Sequence, residues 1–291
     1  MGQKSSPRVE KFRCQEFLVG REESGMSSPL KLVTFNILNG GGDEARFRSI
    51  LEVIRRASPD LLILQECLDW EDGKRMSQVA EVMGLANQPE HVRLGHARPR
   101  GSGKRYHMGV FSRLPIERWT FHDQAAFLGH GMAQFEVQWG EKPLTVFGAH
   151  FDAKNENLRF VEARYLRSLI DPVDFRKGLY VLAGDLNSLS ANDPYPPDLE
   201  ALLRQSLTTK YHLPPRFEVS EELAEFGWLD GLYLRPPTRW ITAARDRGEV
   251  HIDYRTDYIM VSPALVPQVG QVEVVPIHDE SDHFPVQAIF F

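Results

Sequence analysis

Between Lys31 and Glu66 the chain spells out a single supersecondary unit. Lys31-Leu32-Val33-Thr34-Phe35 is a short apolar run closed by Asn36 and the glycines Gly40, Gly41 and Gly42. Asp43 offers an N-cap, and Phe47, Ile50, Leu51 and Ile54 follow at the spacing of an amphipathic helix. Pro59 stops the helix, and Leu61-Leu62-Ile63-Leu64 is a second apolar run that ends at Gln65-Glu66. Strand, helix, strand at this length is a βαβ crossover, and its right-handed sense puts both strand ends on one edge of a sheet. Ligands bind at that edge in α/β proteins, and Asn36 and Glu66 stand on it.

The same reading places further strands at Met108–Phe111, Gly131–Trp139, Leu144–His150, Leu179–Ala183, Tyr258–Val261 and Pro285–Phe290. Asn157 is a candidate cap for a helix that turns Leu158, Val161, Tyr165, Leu166 and Leu169 to one face. Residues 211–250 are the least regular part of the chain. Strands that follow one another without intervening helices imply mixed sheets. No linker divides the body, so residues 30–291 read as one domain behind a flexible leader, residues 1–29, rich in Ser and Glu and without a helix or strand period. Its first six residues fit an N-myristoylation pattern, but a mobile leader, with Met26 as an alternative start, is the preferred reading.

Composition narrows the classes. With 34 basic and 40 acidic residues the net charge is -6, so a phosphate-bearing partner must be held by a local basic patch or a metal ion rather than by bulk charge. The densest basic region is Arg93, Arg98, Arg100, Lys104, Arg105 and Arg113, read first as a solvated loop and second as a phosphate-steering lip. No apolar run approaches the roughly 20 residues of a transmembrane helix, and no signal peptide is evident. Two cysteines, Cys14 and Cys67, fit a reducing compartment, and cytoplasmic is the expected location.

Polar residues collect at the strand tips. His150 and Asp152 follow Leu144–Ala149, and Asp185 and Asn187 follow Leu179–Ala183. Asp257 precedes Tyr258–Val261, and Ser281-Asp282-His283 precedes the last strand. If those last strands run antiparallel to the earlier ones, Asn36, Glu66, His150, Asp185, Asn187, Asp257, Asp282 and His283 meet at one rim. Carboxylate and amide oxygens without cysteine are hard ligands that suit Mg²⁺ or Mn²⁺. A histidine beside a carboxylate handles protons near neutral pH. No H-E-x-x-H, G-x-S-x-G or P-loop pattern occurs, which sets aside zinc-peptidase, serine-hydrolase and P-loop chemistry. Metal-assisted phosphoester hydrolysis remains.

Seven ordered strings carry a resemblance. They are Thr34-Phe35-Asn36, Leu64-Gln65-Glu66, Gly109-Val110-Phe111-Ser112-Arg113, Gly148-Ala149-His150-Phe151, Gly184-Asp185-Leu186-Asn187, Arg255-Thr256-Asp257-Tyr258-Ile259 and Ser281-Asp282-His283-Phe284-Pro285-Val286. Together, over residues 31–291, they resemble the endonuclease/exonuclease/phosphatase superfamily. The resemblance implies a four-layer α/β sandwich, two mixed β-sheets face to face with helices outside. It implies Glu66 as principal metal ligand with Asn36 and Asp282, and His283 as catalytic histidine held by Asp257. It further implies that Asp185, with Asn187 alongside, positions or deprotonates the attacking water, and that His150 contacts the scissile phosphate.

The first expectation for substrate is nucleic acid, because Thr238-Arg239-Trp240 and Arg255-Thr256-Asp257-Tyr258 resemble the nuclease branch. The inserted Arg239 departs from that branch's Thr-Trp. Lys104–Met108 offers no acidic partner for His150, which leaves Asp152 as an alternative. A lipid-headgroup or small-molecule phosphoesterase, of sphingomyelinase or inositol-phosphatase type, is the second reading. A catalytically inert binding module is a third, and the presence of Glu66, Asp282 and His283 speaks against it.

Overall fold

A computed structural model of the chain describes residues 28–291, apart from residues 87, 100–102, 125, 206–209 and 248–249, and only the backbone of 244–253. The leader up to residue 27, Cys14 and Arg100 therefore lie outside the described residues.

The chain begins with β1 (Leu30–Asn36), α1 (Glu44–Ala57), β2 (Leu61–Leu68), α2 (Lys74–Val82), β3 (Val92–Gly95) and β4 (Tyr106–Ser112). It continues through β5 (Ile116–His122), β6 (Met132–Trp139), β7 (Lys142–His150), α3 (Glu156–Ser168), α4 (Pro172–Lys177) and β8 (Leu179–Asp185). Next come α5 (Leu199–Gln205), α6 (Glu218–Phe226), β9 (Leu229–Asp230), α7 (Gly231–Leu234) and the hairpin β10 (Ala243–Arg247) and β11 (Val250–Tyr254). β12 (Asp257–Val261), β13 (Val269–Val274) and β14 (Val286–Phe290) complete it.

Two six-stranded sheets result, ordered β13-β14-β1-β2-β4-β3 and β5-β6-β7-β8-β12-β9. Each contains one parallel pair, β1 with β2 and β7 with β8, among antiparallel neighbours, so both sheets are mixed. Strand periodicity explains the layers. Leu30, Leu32, Leu61 and Ile63 face Phe135, Val146, Val181, Ala183, Ile259 and Val261 in one core between the sheets. The alternate residues Val33, Phe35, Leu62 and Leu64 pack under α1 and α2, while Phe147, Ala149, Leu182, Tyr258 and Met260 pack under α3 and α6. Helix, sheet, sheet, helix is the expected four-layer sandwich.

Local signals hold where chemistry fixes them. Asp43 caps α1 by accepting from Arg46 N. The cap of α3 is Asn155, two residues before the Asn157 expected, with its side chain accepting from Asn157 N. The face that α3 buries is mixed: Leu166 and Ala163 lie in it, as expected of an apolar stripe, but so do three charged residues. Val161 is 40% exposed, whereas Glu156, Arg159 and Glu162 are buried. These three find hydrogen-bond partners in the interior, and satisfied polar groups can then occupy the inward stripe. The stretch 211–250 is more regular than its composition suggested, since it holds α6, α7 and most of the β10–β11 hairpin. Among the described residues no helix is long and apolar enough to cross a membrane.

Candidate active site

The register of the second sheet brings three of the candidate side chains abreast. His150 of β7 is the partner of Asp185 on β8, and Asp185 is the partner of Asp257 on β12. β8 reaches this register only because residue 184 is glycine. Its φ is +153°, and a Cβ there would lie 1.9 Å from Ala149 O on β7. The first sheet contributes Asn36 at the tip of β1 and Glu66 on β2. Glu66 does not simply end its strand. It sits where the β2–β4 register shifts between Leu64 and Cys67, with φ of 59°, and this bulge re-aims its side chain. Asn187, at φ of 51°, is the second strained non-glycine residue of the site.

His283 enters from the segment before β14. Ser281 Oγ donates to Asn36 O at 2.7 Å and accepts from His283 N at 3.2 Å, and residue 283 bridges to Ala243. His283 Nδ1 lies 2.8 Å from Asp257 Oδ2. Thr242, fully buried, holds the base of this pair, since its Oγ1 accepts from the backbone N–H groups of Thr256 and Asp257. His283 Nε2 stands 3.7 Å from Asp185 Oδ2 and 4.0 Å from Asp282 Oδ1. Asp185 Oδ2 is in turn 3.8 Å from His150 Nε2 and accepts from Asn36 Nδ2 at 3.0 Å. Asn36 Nδ2 also reaches Glu66 Oε1 at 3.3 Å, while Glu66 Oε2 accepts from Asn39 N at 2.8 Å. Arg46 lies in the same neighbourhood as Asp282. It binds the carbonyls of Ile37 and Gly41, and its guanidinium feels the charges of both Asp282 and Glu66. All eight expected residues thus gather on one rim.

Burial governs the charges. It pushes the His283 imidazole down, but the carboxylates of Asp257 and Asp185 and the hydrogen bond to Asp257 outweigh it and hold His283 up at about 9. Asp185 is buried too, yet the charges of His283 and Lys210 and the N–H of Asn187 draw its carboxyl well below the usual range. His150 is pushed down by its burial, so it is neutral at pH 7. Its ring nitrogens have no hydrogen-bond partner among the described residues. Asp152 does not hold it: Asp152 Oδ1 accepts from the backbone N–H groups of Lys154 and Asn155. The ring instead lies flat on His130, with centroids 4.1 Å apart, and Tyr106 meets His130 edge-on.

His130, Thr242 and Lys210 are the residues that sequence reasoning passed over. His130 lies between two glycines and Lys210 in an irregular polar stretch, so neither carries a motif signal. Thr242 follows closely on Thr238-Arg239-Trp240, the segment that had drawn attention. Three arginines of the basic region have partners within the chain while staying at the surface. Arg98 pairs with Asp123, Arg105 with Glu71, and Arg113 donates to Pro59 O beside Asp60.

A model of the Endonuclease/Exonuclease/phosphatase family matches residues 33–283, nearly the whole described body. The chain is a member of the endonuclease/exonuclease/phosphatase family. Members of the family are metal-dependent enzymes that hydrolyse phosphoester bonds. Solved structures agree with the fold. A family protein from Leptotrichia buccalis superposes with a TM-score of 0.66 at 13% identity, covering 90% of this chain and 100% of that one. An AP endonuclease from Archaeoglobus fulgidus gives 0.65 at 20% identity over 90% and 99%. Truncated TDP2 from Caenorhabditis elegans gives 0.61 at 16% identity over 90% and 98%. No curated protein matches the chain.

The donor set fits the divalent ion of this family. Glu66 and Asp282 offer hard carboxylate oxygens beside the Asn36 amide, whose Nδ2 now points between the carboxylates of Glu66 and Asp185. Asn36 Oδ1 accepts from Leu38 N, so ligation through that oxygen goes with a turn of the amide. Asp185, Asp257 and His283 also cluster within 4.8 Å. A histidine that keeps its protons to about pH 9 fits proton handling there better than metal ligation.

Proposed function

We propose that residues 30–291 form a Mg²⁺-dependent phosphodiesterase acting on nucleic acid, with Mn²⁺ able to replace Mg²⁺. One observation carries this reading: Asp185 Oδ2 lies within 4 Å of Asn36 Nδ2, His150 Nε2 and His283 Nε2, a buried point where an attacking water and a phosphate oxygen can both be held. Glu66, Asn36 and Asp282 hold the metal, which when bound neutralises charge on the phosphate oxygens. Asp185 stays ionised and orients the attacking water, accepting a hydrogen bond from it. Its other oxygen is held by the Asn187 N–H. His283, protonated and fixed by Asp257, donates from Nε2 to a phosphate oxygen. Neutral His150 offers a ring nitrogen to the same group. Developing negative charge is thereby met by donors already in place.

Nucleic acid as substrate is supported by the Thr238-Arg239-Trp240 and Arg255-Thr256-Asp257-Tyr258 segments and by likeness to the structures of TDP2 and an AP endonuclease. A small phosphate ester or lipid headgroup is the second reading. The net charge of -6 favours it, as does the pairing of Arg98 with Asp123 and of Arg105 with Glu71, which lowers the net positive charge of this surface toward a long polynucleotide. The cysteine count supports a cytoplasmic location. Incubating the purified protein and Mg²⁺ with plasmid, abasic duplex, RNA, sphingomyelin and inositol phosphates separates the readings. Cleavage of a polynucleotide is expected. Headgroup release with every polynucleotide intact would overturn the first choice.

A further inference from the structure

Lys210 belongs to none of the seven strings, yet its side chain ends in the site. Its Nζ donates to Asn187 Oδ1 and lies 5.2 Å from the centre of the Tyr211 ring. Asn187 is committed on its other atoms. Its Nδ2 donates to Phe151 O at 3.0 Å, and its backbone N donates to Asp185 Oδ1 at 2.8 Å. Asp185, Asn187 and Lys210 therefore form a string that runs outward. The first two are 1% and 2% exposed, whereas Lys210 is half-buried at the solvent end.

We propose that Lys210 is a catalytic residue that binds a non-bridging oxygen of the substrate phosphate, held in place through Asn187 and through the buried Arg159–Glu156 pair. The proposal rests on the phosphoesterase reading and adds to it the group that faces the phosphate from the side of Asn187.

The buried pair gives the position its rigidity. Arg159, fully buried on α3, donates from Nη2 to Lys210 O, from Nη1 to Asp152 O at 2.8 Å and from Nε to Glu156 Oε2 at 3.0 Å. Glu156 Oε1 accepts from Ser188 Oγ at 2.8 Å. One ion pair thus ties the backbone of Lys210 to the turn that carries Asp185 and Asn187. A buried ion pair adds little stability over apolar packing, so what this one contributes here is placement.

Charge points the same way. Glu66, Asp185, Asp257 and Asp282 count four negative charges, and Arg46, His283 and a divalent cation return four. A phosphodiester, itself an anion, would then leave the site with an excess of negative charge. The Lys210 ammonium removes that excess, and its field is already felt at Asp185 and His150, drawing both groups down. An ammonium has three donors on one compact charge, so it can keep Asn187 and still take a phosphate oxygen.

The test combines binding and turnover. Inorganic phosphate is titrated calorimetrically, with Mg²⁺, into wild type, Lys210→Met and Lys210→Arg, and hydrolysis of bis(p-nitrophenyl) phosphate is measured in parallel. Methionine keeps an unbranched stem against Tyr211 and removes the charge. Lys210→Met is expected to weaken phosphate binding about tenfold or more and to lower kcat/KM about 100-fold. Lys210→Arg should recover part of the binding, and added ethylammonium part of the Lys210→Met rate. An unchanged phosphate Kd in Lys210→Met, or no phosphate binding by wild type, overturns the proposal. Hydrolysis by wild type and Lys210→Met alike removes Lys210 and leaves the phosphoesterase reading intact. Lys210-dependent phosphate binding without hydrolysis of any phosphoester supports Lys210 and removes that reading.

Discussion

Asn36 and Asp185 lie 149 residues apart and on different sheets, yet Asn36 Nδ2 donates to Asp185 Oδ2 at 3.0 Å. The bond crosses the seam of the sandwich and separates two acidic groups, since the same nitrogen also reaches Glu66 Oε1. An amide N–H₂ between two carboxylates supplies the partial positive charge that keeps them together without a cation.

Replacing that amide by a third carboxylate should expose the repulsion. Asn36→Asp is expected to lower the melting temperature in EDTA by an amount corresponding to about 1–3 kcal/mol, the penalty of a buried polar group left without its partner. Mg²⁺ should then raise the melting temperature of the variant more than that of wild type. Differential scanning calorimetry with EDTA and with Mg²⁺ gives both numbers. Equal Mg²⁺ shifts in the two proteins would remove Asn36 from the metal site.

The His283–Asp257 pair should appear as a pH-dependent stability. His283 is held at about 9 in the folded protein against an ordinary 6.5. A group whose folded value is raised stabilises most below its unfolded value, and that contribution is lost as pH rises through the folded one. In EDTA, wild type should exceed His283→Gln by up to on the order of 3 kcal/mol at pH 6, with the gap closing by about pH 10. Urea unfolding across this range measures it, and a gap that widens with pH would contradict the assignment.

Gly184 is the hinge on which the Asp185 register depends. With φ of +153° and only 1.9 Å between a built Cβ and Ala149 O, Gly184→Ala must push β8 off β7. A loss of about 3 kcal/mol in urea unfolding is expected, together with reduced turnover, because His150 and Asp185 are paired across that junction. An unchanged unfolding midpoint would show that the strands part without penalty.

Chelation tests the metal independently of substrate identity. EDTA should abolish phosphoester hydrolysis, and Mg²⁺ or Mn²⁺ should restore it, with Glu66→Gln requiring a higher metal concentration for half-maximal rate. Chelator-resistant hydrolysis would take the metal out of the mechanism.

Much of this architecture was legible in residue order. Apolar runs such as Leu61–Leu64 and Leu179–Ala183 read as strands buried on both faces, and each is followed by a polar residue; at Asp185 that residue also makes the local turn to Asn187 N. Inverting the last strands then brings Asp257 and His283 to the same rim, and the register of β12 on β8 bears this out. Three things were not legible. A bulge such as that at Glu66 leaves no mark on a period-2 pattern, so its residue seemed merely terminal. The inward stripe of α3 carries charge beside Ala163 and Leu166, because Glu156 and Arg159 satisfy each other and Glu162 accepts from backbone N–H groups, which hydrophobic periodicity cannot anticipate. His130 and Lys210 act through tertiary proximity alone, one by stacking on His150 and the other by reaching Asn187.

The most direct measurement is turnover of bis(p-nitrophenyl) phosphate with Mg²⁺ by wild type, Asp185→Asn and His283→Ala, each checked for an unchanged circular dichroism spectrum. The gathered rim predicts hydrolysis by wild type and a fall of about 100-fold or more in both variants. Hydrolysis at wild-type rates by either folded variant would contradict it.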